Sequence, residues 1–163
     1  MKLLISKDWL RRKIASDPDI DIEAGRPLSA ESPEPDVAVI GEQKVVQLRV
    51  ALGVLVRQLR LRDGLAIAEL AQRAQVSEDE LRSVEHDPHY TARPRLIFQL
   101  SNYFNVSLAN LSQMAGTTHA VNRTLYNTAV RYAANSDDMS ALTEDERRDL
   151  DAFVAMLNER GKA

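Results

Sequence analysis

The chain has 163 residues and a net charge of −3, with 44% hydrophobic and only 5% aromatic side chains. This length suits one medium domain or a small domain with extensions, and a core poor in aromatic residues favours helices over a β-sandwich. Because cysteine is absent, disulfides, thiolate metal sites and cysteine nucleophiles are excluded. No apolar run approaches the roughly 20 residues that cross a bilayer, so we expect a cytoplasmic protein that does not contact membranes.

The charge is unevenly distributed along the chain. Residues 44–116 hold nine basic and seven acidic side chains and form the only positive segment. Residues 1–43 and 117–163 both carry a net negative charge. A positive middle segment is a mild indication of a polyanionic partner.

The composition of residues 1–43 predicts an N-terminal extension with an acidic linker. Ser6 is placed to cap a short helix over residues 7–16, which includes Trp9. Residues 17–42 contain four prolines and eight acidic side chains against one arginine, a composition typical of an extended or partly disordered linker. Residues 36–41 predict a short strand, and residues 3–5 are its candidate partner.

The rest of the chain predicts helices, because apolar residues recur at spacings of three and four. We therefore expect an all-α fold with a five-helix domain over residues 44–116 and two additional C-terminal helices within residues 117–163. A five-helix domain does not need the apolar faces of those last two helices, so dimerisation is their expected use. The seven predicted helices cover about residues 45–62, 67–74, 77–87, 93–104, 107–115, 120–134 and 143–160.

Two capping boxes are predicted from the spacing of hydroxyl and carboxylate side chains. Ser77 is followed three residues later by Glu80, and Thr143 is followed by Glu146. Ser107 is predicted to cap the fifth helix.

The most informative segment covers residues 67–85, where two short helices are joined by a tight turn. Helices joined in this way cross steeply, and Ala71 supplies the small residue needed where they touch. Val76 fills the turn, while Leu81 and Val84 face back into the core. The first turn of the third helix is then free to enter a major groove.

This pattern resembles the lambda-repressor/Cro-like helix-turn-helix family, also called the XRE type. The resemblance extends over residues 44–116 and includes Arg60 in the first helix, Glu85 at the end of the third and Pro94 before the fourth. It implies a five-helix fold and a transcription regulator, such as a repressor, that binds double-stranded DNA. It also implies a homodimer bound to an inverted repeat.

Three features depart from the family pattern. Ile67 replaces the family's glutamine at the start of the second helix, and Gln75 replaces its glycine in the turn. Gln75 must therefore adopt a left-handed conformation at some energetic cost. The groove-facing start of the third helix carries three carboxylates, on Glu78, Asp79 and Glu80, which are poorly suited to a phosphate-lined groove.

The resemblance assigns roles to individual positions. Among the base-contact candidates, Arg82 is the side chain suited to bidentate hydrogen bonding with guanine. The base-contact candidates are Ser77, Glu78, Asp79, Arg82 and Ser83, and the phosphate-contact candidates are Arg57, Arg60, Arg62, Arg73, Arg93 and Arg95.

Other functions find less support in the sequence. His86 and His89 lack a nearby third metal ligand other than Glu85, so we interpret them as part of a solvated loop. Neither a Ser-His-Asp arrangement nor a glycine-rich phosphate loop is evident, so we expect no enzymatic activity, cofactor or metal.

Two alternatives to a DNA-binding regulator stay open. One is a protein-interaction module of the antitoxin or anti-activator type, built on a degenerate helix-turn-helix domain. The other is an assembly subunit that holds a protein partner through the N-terminal segment around Trp9.

Overall fold

The computed structural model describes residues 37–39, 41–118, 120–136 and 141–160. The predicted helix at residues 7–16, with Trp9, and the predicted linker up to residue 36 lie outside the described residues. The described part contains seven helices and one two-stranded ribbon. In chain order they are β1 (Val37–Val39), α1 (Glu42–Arg62), α2 (Ile67–Ala74), α3 (Glu78–His86), α4 (Pro94–Phe104), α5 (Leu108–Met114), β2 (Ala120–Asn122), α6 (Arg123–Asn135) and α7 (Glu144–Arg160). This confirms the predicted all-α class and its seven helices.

Helix α1 is the centre of the fold and packs against α3, α5, α6 and α7. Its buried side chains lie on more than one face and include Leu48, Leu55 and Leu59, none of which is more than 1% exposed. A helix surrounded in this way is apolar around much of its circumference rather than along one stripe. It ends where predicted, at Asp63, and Gly64 follows with a φ of +67°.

The two short strands join segments on either side of the helix-turn-helix region. β1 pairs antiparallel with β2, so that Val37 is opposite Asn122. The strand predicted at residues 36–41 is confirmed for residues 37–39, but its partner in the described chain is β2, and residues 3–5 lie outside the described part. The predicted helix start at residue 120 was wrong, because residues 120–122 form this strand. The Asn122 side chain accepts hydrogen bonds from the backbone N–H groups of Thr124 and Leu125, which fixes the helix start at Arg123.

Helices α6 and α7 belong to the same core as the five preceding helices. The Tyr132 ring stacks on Phe153 with 4.4 Å between ring centroids, and its hydroxyl donates a hydrogen bond to Gln58 of α1. Asn110 of α5 contacts the end of α7, where its Nδ2 donates to the Leu157 carbonyl at 2.6 Å. The apolar faces on which the dimerisation prediction rested are therefore covered within one chain, and a dimer would need another surface.

The caps were predicted with mixed success. At α7, Glu146 accepts from the Thr143 N–H at 2.8 Å, and the Thr143 hydroxyl accepts from the Glu146 N–H at 3.3 Å, so this capping box is confirmed. Ser107 caps α5 by accepting from the Asn110 N–H, as predicted. The capping box at Ser77 was wrong, since that side chain makes no capping hydrogen bond.

Candidate nucleic-acid interface

The turn between α2 and α3 sets the direction in which α3 leaves the core. Gln75 ends α2 with φ 56° and ψ 45°. This is the left-handed conformation predicted for Gln75, which stands where the family it resembles has a glycine. Ala71, Leu81 and Val84 are all buried, as predicted from their spacing. Helix α3 is therefore held by its inner face, and its opposite face is left to solvent.

Gly53 allows α1 and α3 to approach closely. A Cβ atom at this position would lie 2.5 Å from the carbonyl oxygen of Val84. Since that oxygen belongs to the backbone, no side-chain rotation relieves the overlap. Gly53 was not among the residues predicted to matter, although a glycine inside a long helical stripe is the sequence signal of such a contact.

A buried ion pair fixes the other end of α3. Arg60 donates from Nε and Nη2 to the two carboxylate oxygens of Glu85, each at 2.8 Å, and from Nη1 to the Leu65 carbonyl at 3.0 Å. The Glu85 side chain is fully buried, and the hydrogen bonds to it raise the pKa of Arg60 above its usual value. The phosphate-contact prediction for Arg60 was wrong, because all of these donors face inward toward protein acceptors.

The outer face of α3 presents the predicted base-contact side chains to solvent. Four are exposed and Ser83 is half-buried, its hydroxyl donating to the Asp79 carbonyl at 2.9 Å. Arg82 Nη2 donates to Glu78 Oε1 at 2.7 Å, one helical turn away. Ser77 immediately precedes α3, and Glu78, Asp79, Arg82 and Ser83 lie on it.

Glu80 differs from its two acidic neighbours because it is turned toward the protein. Its carboxylate lies 3.2 Å from Arg93 Nε, and its side chain is only 23% exposed. The adjacent Tyr90 has a raised pKa, first because of its burial and second because of the Glu80 charge. Thus, of the three carboxylates expected to face the groove, one points away and the Glu78 charge is paired with Arg82.

Exposed basic side chains lie on α2 and at the start of α4, the helices that precede and follow α3 in the chain. Arg73 on α2 and Arg95 on α4 are exposed, and Arg93 precedes α4 with its side chain 78% exposed. A cavity of about 290 Å³ between the turn and α4 is lined by Ser77, Glu80 and the arginines at 93 and 95, among others. An anionic backbone next to α3 would lie close to these basic side chains.

The remaining phosphate-contact candidates lie on α1. Arg62 forms exposed ion pairs with Asp63 at 3.1 Å and with Asp151 of α7 at 3.7 Å. Arg57 is half-buried. Among the six arginines proposed from the resemblance, Arg73, Arg93 and Arg95 are exposed, whereas Arg57 is half-buried and Arg60 is buried.

Other kinds of site find little basis in the described part of the chain. Within it, no group of three His, Asp or Glu side chains is arranged to hold a metal ion, and His86 and His89 are exposed. None of the described helices has the length and apolarity that a membrane span requires.

Comparison with known families agrees with this geometry. Residues 56–111 match the helix-turn-helix family, and this span begins within α1 and ends within α5. It covers about a third of the chain. Among curated proteins and solved structures, none matches the chain significantly. Residues 56–111 therefore form a helix-turn-helix segment similar to those of the lambda-repressor/Cro-like type, whose members are DNA-binding transcription regulators.

Proposed function

We propose that the protein is a sequence-specific transcriptional regulator that inserts the first turns of α3 into the major groove of DNA. The observation that supports this most directly is the two-sided character of α3. Leu81 and Val84 are buried, whereas Glu78, Asp79 and Arg82 on the opposite face are exposed. A helix presented in this way has the form that major-groove readers use.

In this proposal the arginines beside α3 position the protein on the phosphate backbone. Arg73 and Arg95 are exposed. Arg93 either leaves Glu80 to bind a phosphate or contacts Glu80 and a phosphate at the same time. Contacts of this kind supply affinity but no sequence information. Each one should make its own contribution to the salt dependence of binding.

We further propose that two copies bind an inverted repeat with half-sites about one helical turn apart, as is usual for this domain type. The buried faces of α6 and α7 are not available for this contact, so the dimer would form through another surface or assemble on DNA. Analytical ultracentrifugation with and without a palindromic duplex tests this point. A single copy per palindrome at saturation would contradict it.

The DNA-binding role is tested by gel shifts at low salt and at a series of higher salt concentrations, on the DNA that flanks the protein's own gene and on a scrambled duplex for comparison. Arg95→Ala should weaken binding to both duplexes and lower the salt slope by about one. Arg148→Ala is the matched control, because Arg148 is an exposed arginine on α7 with an ion-pair partner of its own. Equal binding by wild type and Arg95→Ala at every salt concentration would argue against the proposed orientation.

The acidic side chains of α3 favour one second candidate, a protein-interaction module. Glu78 and Asp79 are both exposed on the face that would enter the groove. If this face binds a basic protein partner, reversing both charges to lysine should abolish partner binding and should raise affinity for any duplex. For a sequence-specific regulator, the same reversal should remove discrimination between the flanking and the scrambled duplex.

A further inference from the structure

Glu78 and Arg82 form a hydrogen-bonded pair on the part of α3 that faces solvent. Arg82 Nη2 and Glu78 Oε1 are 2.7 Å apart, and the two side chains remain 59% and 44% exposed. One turn of helix separates the two residues, so both side chains project from the same face. The contact uses one Arg82 nitrogen and one Glu78 oxygen, and both groups have further hydrogen-bonding capacity.

From this geometry, and resting on the proposed DNA-binding function, we infer that Glu78 and Arg82 act together as a reader of a cytosine and a guanine. Arg82 donates to O6 and N7 of the guanine, and Glu78 accepts from the N4 amino group of the cytosine. The two bases lie in adjacent base pairs.

The spacing of the two side chains matches this target. Positions four apart on a helix are separated by about 6 Å along its axis, and stacked base pairs are separated by about 3.4 Å. Two long side chains that begin one turn apart and already touch at their tips converge on a small area. Side-chain tips 2.7 Å apart can reach atoms on neighbouring base pairs, which are about 3.4 Å apart.

The charges of the pair explain why a carboxylate is acceptable at this position. An isolated carboxylate is repelled by the phosphates on both sides of the groove, but the Glu78 charge is balanced by Arg82. Glu78 then needs a donor on the DNA, which the cytosine amino group supplies. Thymine O4 and guanine O6 are acceptors, so a carboxylate facing either of them would be left without a hydrogen bond. Adenine donates from N6, but its neighbouring N7 is an acceptor that disfavours a carboxylate.

A surface ion pair of this kind has little structural value, which makes the inference testable. Exposed i,i+4 pairs contribute little to the stability of a folded protein. Substitutions at Glu78 and Arg82 should therefore leave the circular dichroism spectrum and the thermal midpoint of the full chain nearly unchanged. Any change in base preference can then be attributed to contacts with DNA.

The experiment is a selection of bound sequences from a library of randomised duplexes, performed on the full chain. The wild type should enrich sites with a guanine and a cytosine within one base-pair step. Glu78→Gln should retain the guanine and change the cytosine preference toward adenine by at least about tenfold, because a glutamine amide pairs with N6 and N7 of adenine. Arg82→Ala should lose the guanine preference, and Arg148→Ala should select the same sites as the wild type.

Two outcomes would overturn the inference, and they are distinguishable. If the wild type enriches a defined site that neither Glu78→Gln nor Arg82→Ala alters, the reader pair is wrong and the DNA-binding function stands. If the folded wild type enriches no site at all, the proposed sequence-specific function fails, and the reader pair fails with it.

Discussion

Arg60 and Glu85, 25 positions apart in the chain, are joined by two hydrogen bonds of 2.8 Å between guanidinium and carboxylate. The pair connects the last turn of α1 to the last turn of α3, and a third bond extends it to the Leu65 carbonyl. The orientation of α3 thus depends on a contact buried behind it. The close packing of α1 against α3 at Gly53 is a second constraint, so α3 has little freedom to tilt.

Arg60→Ala should lower the free energy of unfolding by about 3–5 kcal/mol, because it leaves the buried Glu85 carboxylate without its partner. Arg62→Ala is the matched control. Its ion pairs with Asp63 and Asp151 are exposed, so the loss should not exceed about 1 kcal/mol. Urea unfolding of both variants provides the measurement. Arg60→Ala with wild-type stability and a reduced salt slope of DNA binding would restore the original phosphate-contact assignment.

Gly53→Ala should destabilise the fold and displace α3. In an open helix this substitution gains about 0.5–1 kcal/mol from propensity, but the new Cβ would lie 2.5 Å from the Val84 carbonyl oxygen. Overpacking against atoms that cannot rotate away costs about 1–3 kcal/mol, so the clash prevails. Gly41→Ala, at a position with no atom near the added Cβ, is the control. Thermal unfolding measures stability, and equal thermal midpoints for the two variants would contradict the prediction.

Gln75→Gly should stabilise the protein by about 0.5–1 kcal/mol. A left-handed conformation costs a residue with a side chain about 1–2 kcal/mol. The substitution relieves this cost, but part of the gain is lost to the greater freedom of glycine in the unfolded chain. Asn105 has nearly the same conformation, with φ 53°. Because asparagine tolerates that region better, Asn105→Gly should give a smaller gain. Chemical denaturation of both variants checks this order, and a loss of stability in Gln75→Gly would show that strain in the turn is unimportant.

Tyr132 should make stability fall at alkaline pH. Burial raises the pKa of its phenol well above the usual value of about 10. Above pH 10 the unfolded chain therefore releases a proton that the folded chain retains, and the free energy of unfolding decreases as the pH rises. Tyr132→Phe lacks this ionisation, so its stability should fall less steeply between pH 9 and pH 11, although it loses the hydrogen bond to Gln58. Parallel slopes for the two proteins in urea unfolding would rule out this origin.

The helices could be predicted from the sequence because their signals are local. The spacing of Leu81 and Val84 predicts which face of α3 is buried, and the structure agrees. The resemblance implies a left-handed conformation for Gln75, because the family has a glycine at this position of the turn, and this conformation too is confirmed. Each of these inferences needs only residues within a few positions of one another.

The contacts that were mispredicted depend on segments far apart in the chain. Glu80 has the spacing of a capping box with Ser77, but its carboxylate lies beside Arg93, which arrives from the start of α4. Arg60 has the position of a phosphate contact, but Glu85 lies within its reach and is buried. A competition between a local partner and a distant one is decided by tertiary packing, which a linear spacing does not contain.

The segment that matches the helix-turn-helix family is shorter than the segment that packs into one core. Helix α1 is in contact with α6 and α7, and both lie beyond residue 111, where the family match ends. A fragment trimmed to residues 56–111 would lose the first part of α1 and would expose the apolar surface that Leu125, Ala129 and Leu157 cover. Such a fragment should aggregate. Tolerance to mutation in α6 and α7 should accordingly be as low as in the turn between α2 and α3, although neither helix lies in the matched span.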